Sequence, residues 1–211
     1  MQHSSLKRLS SQEYKLSHQP ILIYRQVLTG AFETHWHDFS EMGLVLSGRG
    51  EHILNGQTHP LQRGCLFLLT PADFHRIVPQ PGESLILFDV IFQAEMLKEE
   101  IYRWLFQDLT NYQLRFSPAE TDEIERECIC LQAEAQTGQI GSHLIIIGAL
   151  ERILIKLYRA SQGQAGKPSL AGRTEHSQQL GMSLIYVHHH FRRPLPLEEV
   201  AGQAHLSPAY F

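Results

Sequence analysis

Between Gly43 and Phe92 the apolar residues come in short runs, each closed by a turn former, and this spacing constrains the fold more than any other feature. The runs are GLVLSG (43–48), HILNGQTH (52–59), CLFLLT (65–70) and SLILFDVIF (84–92). None carries a helical period, and together they predict short strands. Asn55-Gly56 supplies the positive φ angles of a tight primed turn, so 52–59 reads as a hairpin. Several such strands in succession from about Pro20 suggest a small barrel or sandwich.

After Phe92 the period lengthens. AEMLKEEIYRWLFQDL places Leu97, Ile101, Trp104 and Leu105 on one helical face. SPAE (117–120) is a helix start: Ser117 caps, Pro118 takes the first helical position and Glu120 completes a capping box. Ile124, Cys128 and Leu131 follow at helical spacing. The segment from Ser142 to Ser161 is apolar over more than one face, through Leu144, Ile147, Leu150, Ile153, Leu154 and Leu157. One stripe would cover the barrel. The second is either buried in the same chain or meets a second copy in a homodimer. SQGQAGKPSLAGR has the composition of a linker. The expected organisation is an N-terminal arm and barrel over 1–93, helices over 94–160, a linker over 161–175 and a C-terminal unit over 176–211.

Composition excludes several function classes. Hydrophobic residues form 43% of the 211, enough for a packed core, and the formal charge is −4, which argues against a chain coated for nucleic acid or for an acidic membrane surface. Cys65, Cys128 and Cys130 form an odd set without metal spacing and read as reduced thiols of a cytoplasmic protein. The longest apolar run, Leu144 to Leu150, is far below the roughly 20 residues that span a bilayer, so no membrane partner is expected.

The densest set of chemically active residues is THWHDFSE (34–41). On a strand His35, His37 and Glu41 share one face, but Glu41 lies about 13 Å beyond the first histidines and joins them only if the chain bends near Asp38-Phe39-Ser40. Trp36 is placed to cover the mouth of a barrel. His188-His189-His190 are consecutive on a helix and cannot all face one ion, and Cys128 and Cys130 point to opposite faces. No phosphate-cradling glycine loop is present and no nucleophile–base pair stands out.

At the C-terminus, Leu180, Leu184, Val187 and Phe191 mark one amphipathic helix and Leu197, Val200, Ala201 and Ala204 a second. A break at His205-Leu206 then leads to Ser207-Pro208, a cap with proline at the first helical position. This is the outline of a helix-turn-helix. The run LPLEEVAGQAHLSPAYF resembles the first DNA-binding unit of AraC/XylS-type bacterial transcription regulators. Pro196 departs from the family's usual Ser or Thr cap, and Phe211 falls one turn into the recognition helix, so these residues alone are expected to bind DNA poorly.

The pattern G-x4-HxH-x3-E-x6-G from Gly30 to Gly48 resembles the first cupin motif, and Gly64 with TPADFH (70–75) the second. The implied fold is α+β, a double-stranded β-helix barrel followed by α-helices and the beginning of a helix-turn-helix. The implied ligand set is His35, His37, Glu41 and His75, with Trp36 beside it. Three histidines and a carboxylate suit a divalent transition metal such as Zn, Ni, Mn or Fe, or they line a ligand pocket without one. Ser207, Pro208 and Tyr210 are the implied DNA-contacting residues. The resemblance implies a regulator, not an enzyme, that senses a small polar effector such as a sugar and acts as a homodimer on DNA. The alternative is a metal-dependent cupin enzyme, a dioxygenase or isomerase, with a helical extension.

Overall fold

A computed structural model describes residues 7–71, 73–105, 112–163, 183, 186, 187, 190, 191 and 193–211. Ten strands among them form two five-stranded sheets. The first contains β1 (Lys7–Leu9), β3 (His35–His37), β8 (Phe74–Pro79), β5 (Gly50–Leu54) and β6 (Gln57–Leu61) in that spatial order. The second runs β10 (Gln113–Arg115), β7 (Cys65–Leu69), β4 (Ser40–Ser47), β9 (Leu85–Phe92) and β2 (Ile21–Leu28). Apart from the β5–β6 hairpin and the β9–β10 pair, consecutive strands alternate between sheets, which gives the barrel of an α+β, cupin-like fold.

The central strands β7, β4 and β9 of the second sheet are buried on both faces, which explains why CLFLL and LILFDVIF read as continuous apolar runs. Val45, Phe67, Leu69, Leu85 and Leu87 point into the barrel and close half of its interior together with Leu54, Leu61 and Ile77. Met42, Leu44, Leu66, Leu68, Phe88 and Val90 point outward and meet the helices. Those helices are α1 (Glu99–Arg103), α2 (Pro118–Thr137) and α3 (Ser142–Gly163). Ser117 and Glu120 make the capping box read from the sequence, which stabilises the start of α2 by about 1 kcal/mol. The predicted hairpin is also present, with Asn55 at φ 50° and Gly56 at φ 81°.

Three expectations change. The helix expected to follow Phe92 is broken into a 3-10 turn at Ala94–Met96 and the short α1. Strand β10 lies inside the stretch expected to be helical, because pairing with β7 supplies its backbone with partners. On α3, Leu150, Ile153, Leu154 and Leu157 are fully buried within this chain, while Leu144 and Ile145 are exposed. Most of the apolar surface that suggested a second interface is therefore core.

Near the C-terminus α4 (Leu197–Gln203) buries Val200 and Ala201, whereas Leu197 is exposed. It ends in a Schellman turn: His205 takes φ 53°, its N–H bonds the Gly202 carbonyl, and the Leu206 N–H bonds that of Ala201. Residues 208–210 form a turn, with the Tyr210 N–H on the Ser207 carbonyl. Leu180, Leu184, His188, His189 and most of the expected linker lie outside the described residues. None of the described helices is long and apolar enough to cross a membrane.

Candidate functional site

The bend that Glu41 requires is a change of sheet. The chain leaves β3 at His37, turns through Asp38-Phe39 and enters β4 in the other sheet at Ser40. His35 and His37 thus face Glu41 across the barrel interior instead of along one strand. His75 joins them through β8, where it pairs in register with His35. All four are buried. The ring centroids of His35 and His75 are 4.2 Å apart and those of His37 and His75 are 5.5 Å apart. Glu41 Oε2 lies 3.5 Å from His37 Nε2 and 4.0 Å from His75 Nε2. Trp36, expected at the mouth, alternates to the outer face, where the Arg8 guanidinium sits 5.2 Å from its ring centre. Covering the interior falls instead to Leu9 and Tyr14 from the N-terminal arm.

Backbone carbonyls fix the polarity of this cluster, because a carbonyl can only accept. His37 Nδ1 donates to the Phe39 carbonyl (2.7 Å) and His35 Nδ1 to that of Glu33 (2.9 Å), so in each neutral ring Nε2 is a lone pair. For His75 the constraint arrives in steps. Gln113 donates its amide to the Pro60 carbonyl (3.2 Å), which turns Oε1 toward His52 Nδ1 (2.9 Å). His52 must then carry its proton on Nδ1 and accept at Nε2 from His75 Nδ1 (3.1 Å). That leaves His75 Nε2 bare as well. Burial keeps the rings neutral: it pushes His37 and His52 down to about 4, lowers His35, and lowers His75 further below the usual range with help from the neighbouring histidines.

Four residues of this site were missed in the sequence. His52 and Gln113 orient His75, and no local pattern links positions so far apart. Asp89 and Gln26 face the same interior from β9 and β2, with Gln26 Nε2 donating to Asp89 Oδ2 at 2.5 Å. A lone carboxylate inside LILFDVIF was the available signal. Burial raises the Asp89 carboxyl to about 7; Glu41 is raised by burial and by the Asp89 charge. Among the described residues His37 Nε2, His75 Nε2 and Asp89 Oδ1 are buried without a hydrogen-bond partner. The cavity between them, partly open to solvent, measures about 110 Å³.

The donor set fits a divalent transition ion: ligand atoms of His35, Glu41 and His75 lie within 4.8 Å of one another, and two imidazoles, one oriented by a carbonyl and one by His52, with a carboxylate are the chemistry such ions take. His37 stands outside that trio but turns a third lone pair toward Glu41.

The sequence matches the AraC-like ligand binding domain over residues 21–154. It is 26% identical over 168 residues to the HTH-type transcriptional activator RhaS of Yersinia pestis (strain Pestoides F), a match covering 72% of this chain and 58% of that protein. The RhaS of Yersinia pseudotuberculosis serotype O:3 (strain YPIII) matches to the same extent. Among solved structures, a Cupin 2 conserved barrel domain protein from Salinispora arenicola aligns with 36% of this chain and 66% of its own, at 25% identity and a TM-score of 0.34. A predicted oxalate decarboxylase from Thermotoga maritima aligns with 40% of this chain and 75% of its own, also at 25% identity and 0.34. The family match spans most of the chain, both sheets as far as β2 and most of α3, and with it the whole histidine–carboxylate cluster: the chain belongs to the AraC-like ligand-binding domain family.

Proposed function

We propose that this chain is the effector-sensing part of a cytoplasmic transcription regulator, and that its barrel interior binds a small polar metabolite of the sugar class. The supporting observation is a cavity of about 110 Å³, partly open to solvent, into whose lining His75 and Asp89 bring buried polar atoms without partners, in a domain whose relatives are transcriptional activators. That volume is below the roughly 300–1,000 Å³ of drug-sized sites, so a larger ligand needs the arm carrying Leu9 and Tyr14 to move outward. Regulation then follows from the arm and the helices holding different positions with and without ligand, biased by their difference in affinity. DNA contact through Ser207, Pro208 and Tyr210 belongs to this reading. Tyr210 is well exposed.

His35, Glu41 and His75, with His37 beside them, are the residues that would hold a metal. A bound ion would supply a fixed positive charge for polarising a ligand oxygen. This fit is what favours the second reading, a metal-dependent cupin enzyme. The test is calorimetry against a panel of sugars, run beside metal analysis and a turnover screen. His37→Ala should weaken effector binding at least tenfold while abolishing no turnover. It should also lower stability by about 2–4 kcal/mol, because the fully buried ring stacks on Phe39 at 4.5 Å. Stoichiometric metal with turnover that is lost in His37→Ala would make the protein an enzyme.

The same reading includes a homodimer, with the contact on the exposed apolar residues Ile129, Ile140, Leu144 and Ile145. Leu144→Glu should shift light scattering toward the monomer mass without changing the melting temperature, whereas Leu154→Glu, in the core, should unfold the chain. A wild-type protein that is monomeric at high concentration ends the dimer proposal.

A further inference from the structure

The lining of the barrel cavity is nearly all acceptor. His35 and His75 present lone pairs, Glu41 and Asp89 present carboxyl oxygens, and no Lys or Arg lies among the described residues around it. The fixed donors are the Tyr14 hydroxyl and the Gln26 amide, and that amide already holds Asp89 Oδ2; burial also favours the protonated, donating forms of Glu41 and Asp89 until a cation meets them. Asp89 Oδ1 is buried, without a partner, and shares the cavity with the apolar side chains of Leu87 and Ile77. A buried carboxylate is tolerated where a positive charge meets it. A hydroxyl is an incomplete match, since its oxygen also asks for a donor. An ammonium has three donors and no acceptor, the complement of this lining.

We infer that the cavity takes a small ligand bearing an ammonium group, and that Asp89, held in place by Gln26, receives its charge. This rests on the reading of the cavity as the effector site and narrows the effector to amino compounds, with Tyr14 left to meet a hydroxyl on the same molecule. Asp89 is then the residue that sets specificity by charge, and carboxylate or phosphate ligands are rejected.

Three probes of nearly equal size separate charge from shape: ethanolamine, ethylene glycol and glycolate. With chelator-treated protein, calorimetric titration should show ethanolamine binding about tenfold more tightly than ethylene glycol, and no binding of glycolate. Asp89→Asn, which keeps the shape, should reduce that preference to under twofold while the far-UV spectrum is unchanged. Equal or tighter binding of ethylene glycol, any binding of glycolate, or a preference retained in Asp89→Asn would overturn the inference. So would failure of all three probes to bind. In each case the sugar panel reports separately whether the cavity is an effector site.

Discussion

Stability should peak near pH 6.5 and fall on both sides. The acid limb comes from the histidines. His35, His37, His52, His59 and His75 are all held below their ordinary value of 6.5 by burial, His37 and His52 at about 4. A base whose folded pKa is depressed leaves the unfolded chain binding more protons between the two values, so stability is lost as pH falls from 6.5 toward 4. Asp89 and Glu41 act in the opposite sense. An acid whose folded pKa is raised is protonated in the native state first, so stability declines as pH rises from the ordinary carboxylate range through about 7 for Asp89. Below 6.5 the five histidines outnumber the two carboxyls. Above 6.5 the unfolded histidines lose the last of their protons and the carboxyls come to dominate. Each net proton is worth about 1.4 kcal/mol per pH unit, so the chain should be clearly less stable at pH 4.5 than at 6.5. Urea midpoints of chelator-treated protein measured from pH 4.5 to 8.5 test this, and a flat profile between 4.5 and 6.5 would refute it. Asp89→Asn should flatten the alkaline limb and steepen the acid limb, where Asp89 opposes the histidines.

Gly48→Ala should leave little folded protein. Gly48 closes β4 at φ 84°, where a side chain costs about 1–2 kcal/mol from backbone sterics alone. A Cβ there would also lie 2.1 Å from the carbonyl oxygen of Ser84, a backbone atom held beside β9 and unable to swing aside. Relief requires β4 and β9 to separate, and overpacking of this kind costs a further 1–3 kcal/mol or so. The contrast is Gly56→Ala in the hairpin turn. It has a similar φ of 81° but open space around it, so it should pay only the conformational term. Melting temperatures of the two variants separate the two costs. If Gly48→Ala melts with Gly56→Ala, the close approach of β4 to the Ser84 carbonyl is wrong.

What the sequence made legible was local. Asn55-Gly56, the Ser117–Glu120 box and the spacing of His35, His37 and Glu41 each act over a few residues, where dihedral preference and side-chain alternation leave few solutions. The break at His205-Leu206 belongs to the same class, since it is built from hydrogen bonds within one turn. The missed features need partners far along the chain. Strand β10 exists because β7 is open beside it, and Gln113 reaches His52 across 61 positions. Asp89 looked like an interruption in an apolar strand, and its meaning appears only when β2 and β4 are laid on either side. Trp36 failed for another reason: alternation places it outward, and the expectation at the mouth weighed its size above its parity.

The arm has a kinetic consequence. Arg8 and the backbone N–H of Ser11 both engage Asp38, at 2.7 and 2.5 Å; Tyr14 rests edge-on against Phe39, and Leu16 is fully buried. Leu9 and Tyr14 belong to this same clasp and also wall the cavity. That wall of the cavity is therefore only as firm as the clasp, so the residence time of an occupant would depend on Asp38 and Phe39, outside the cavity, as well as on what the occupant touches.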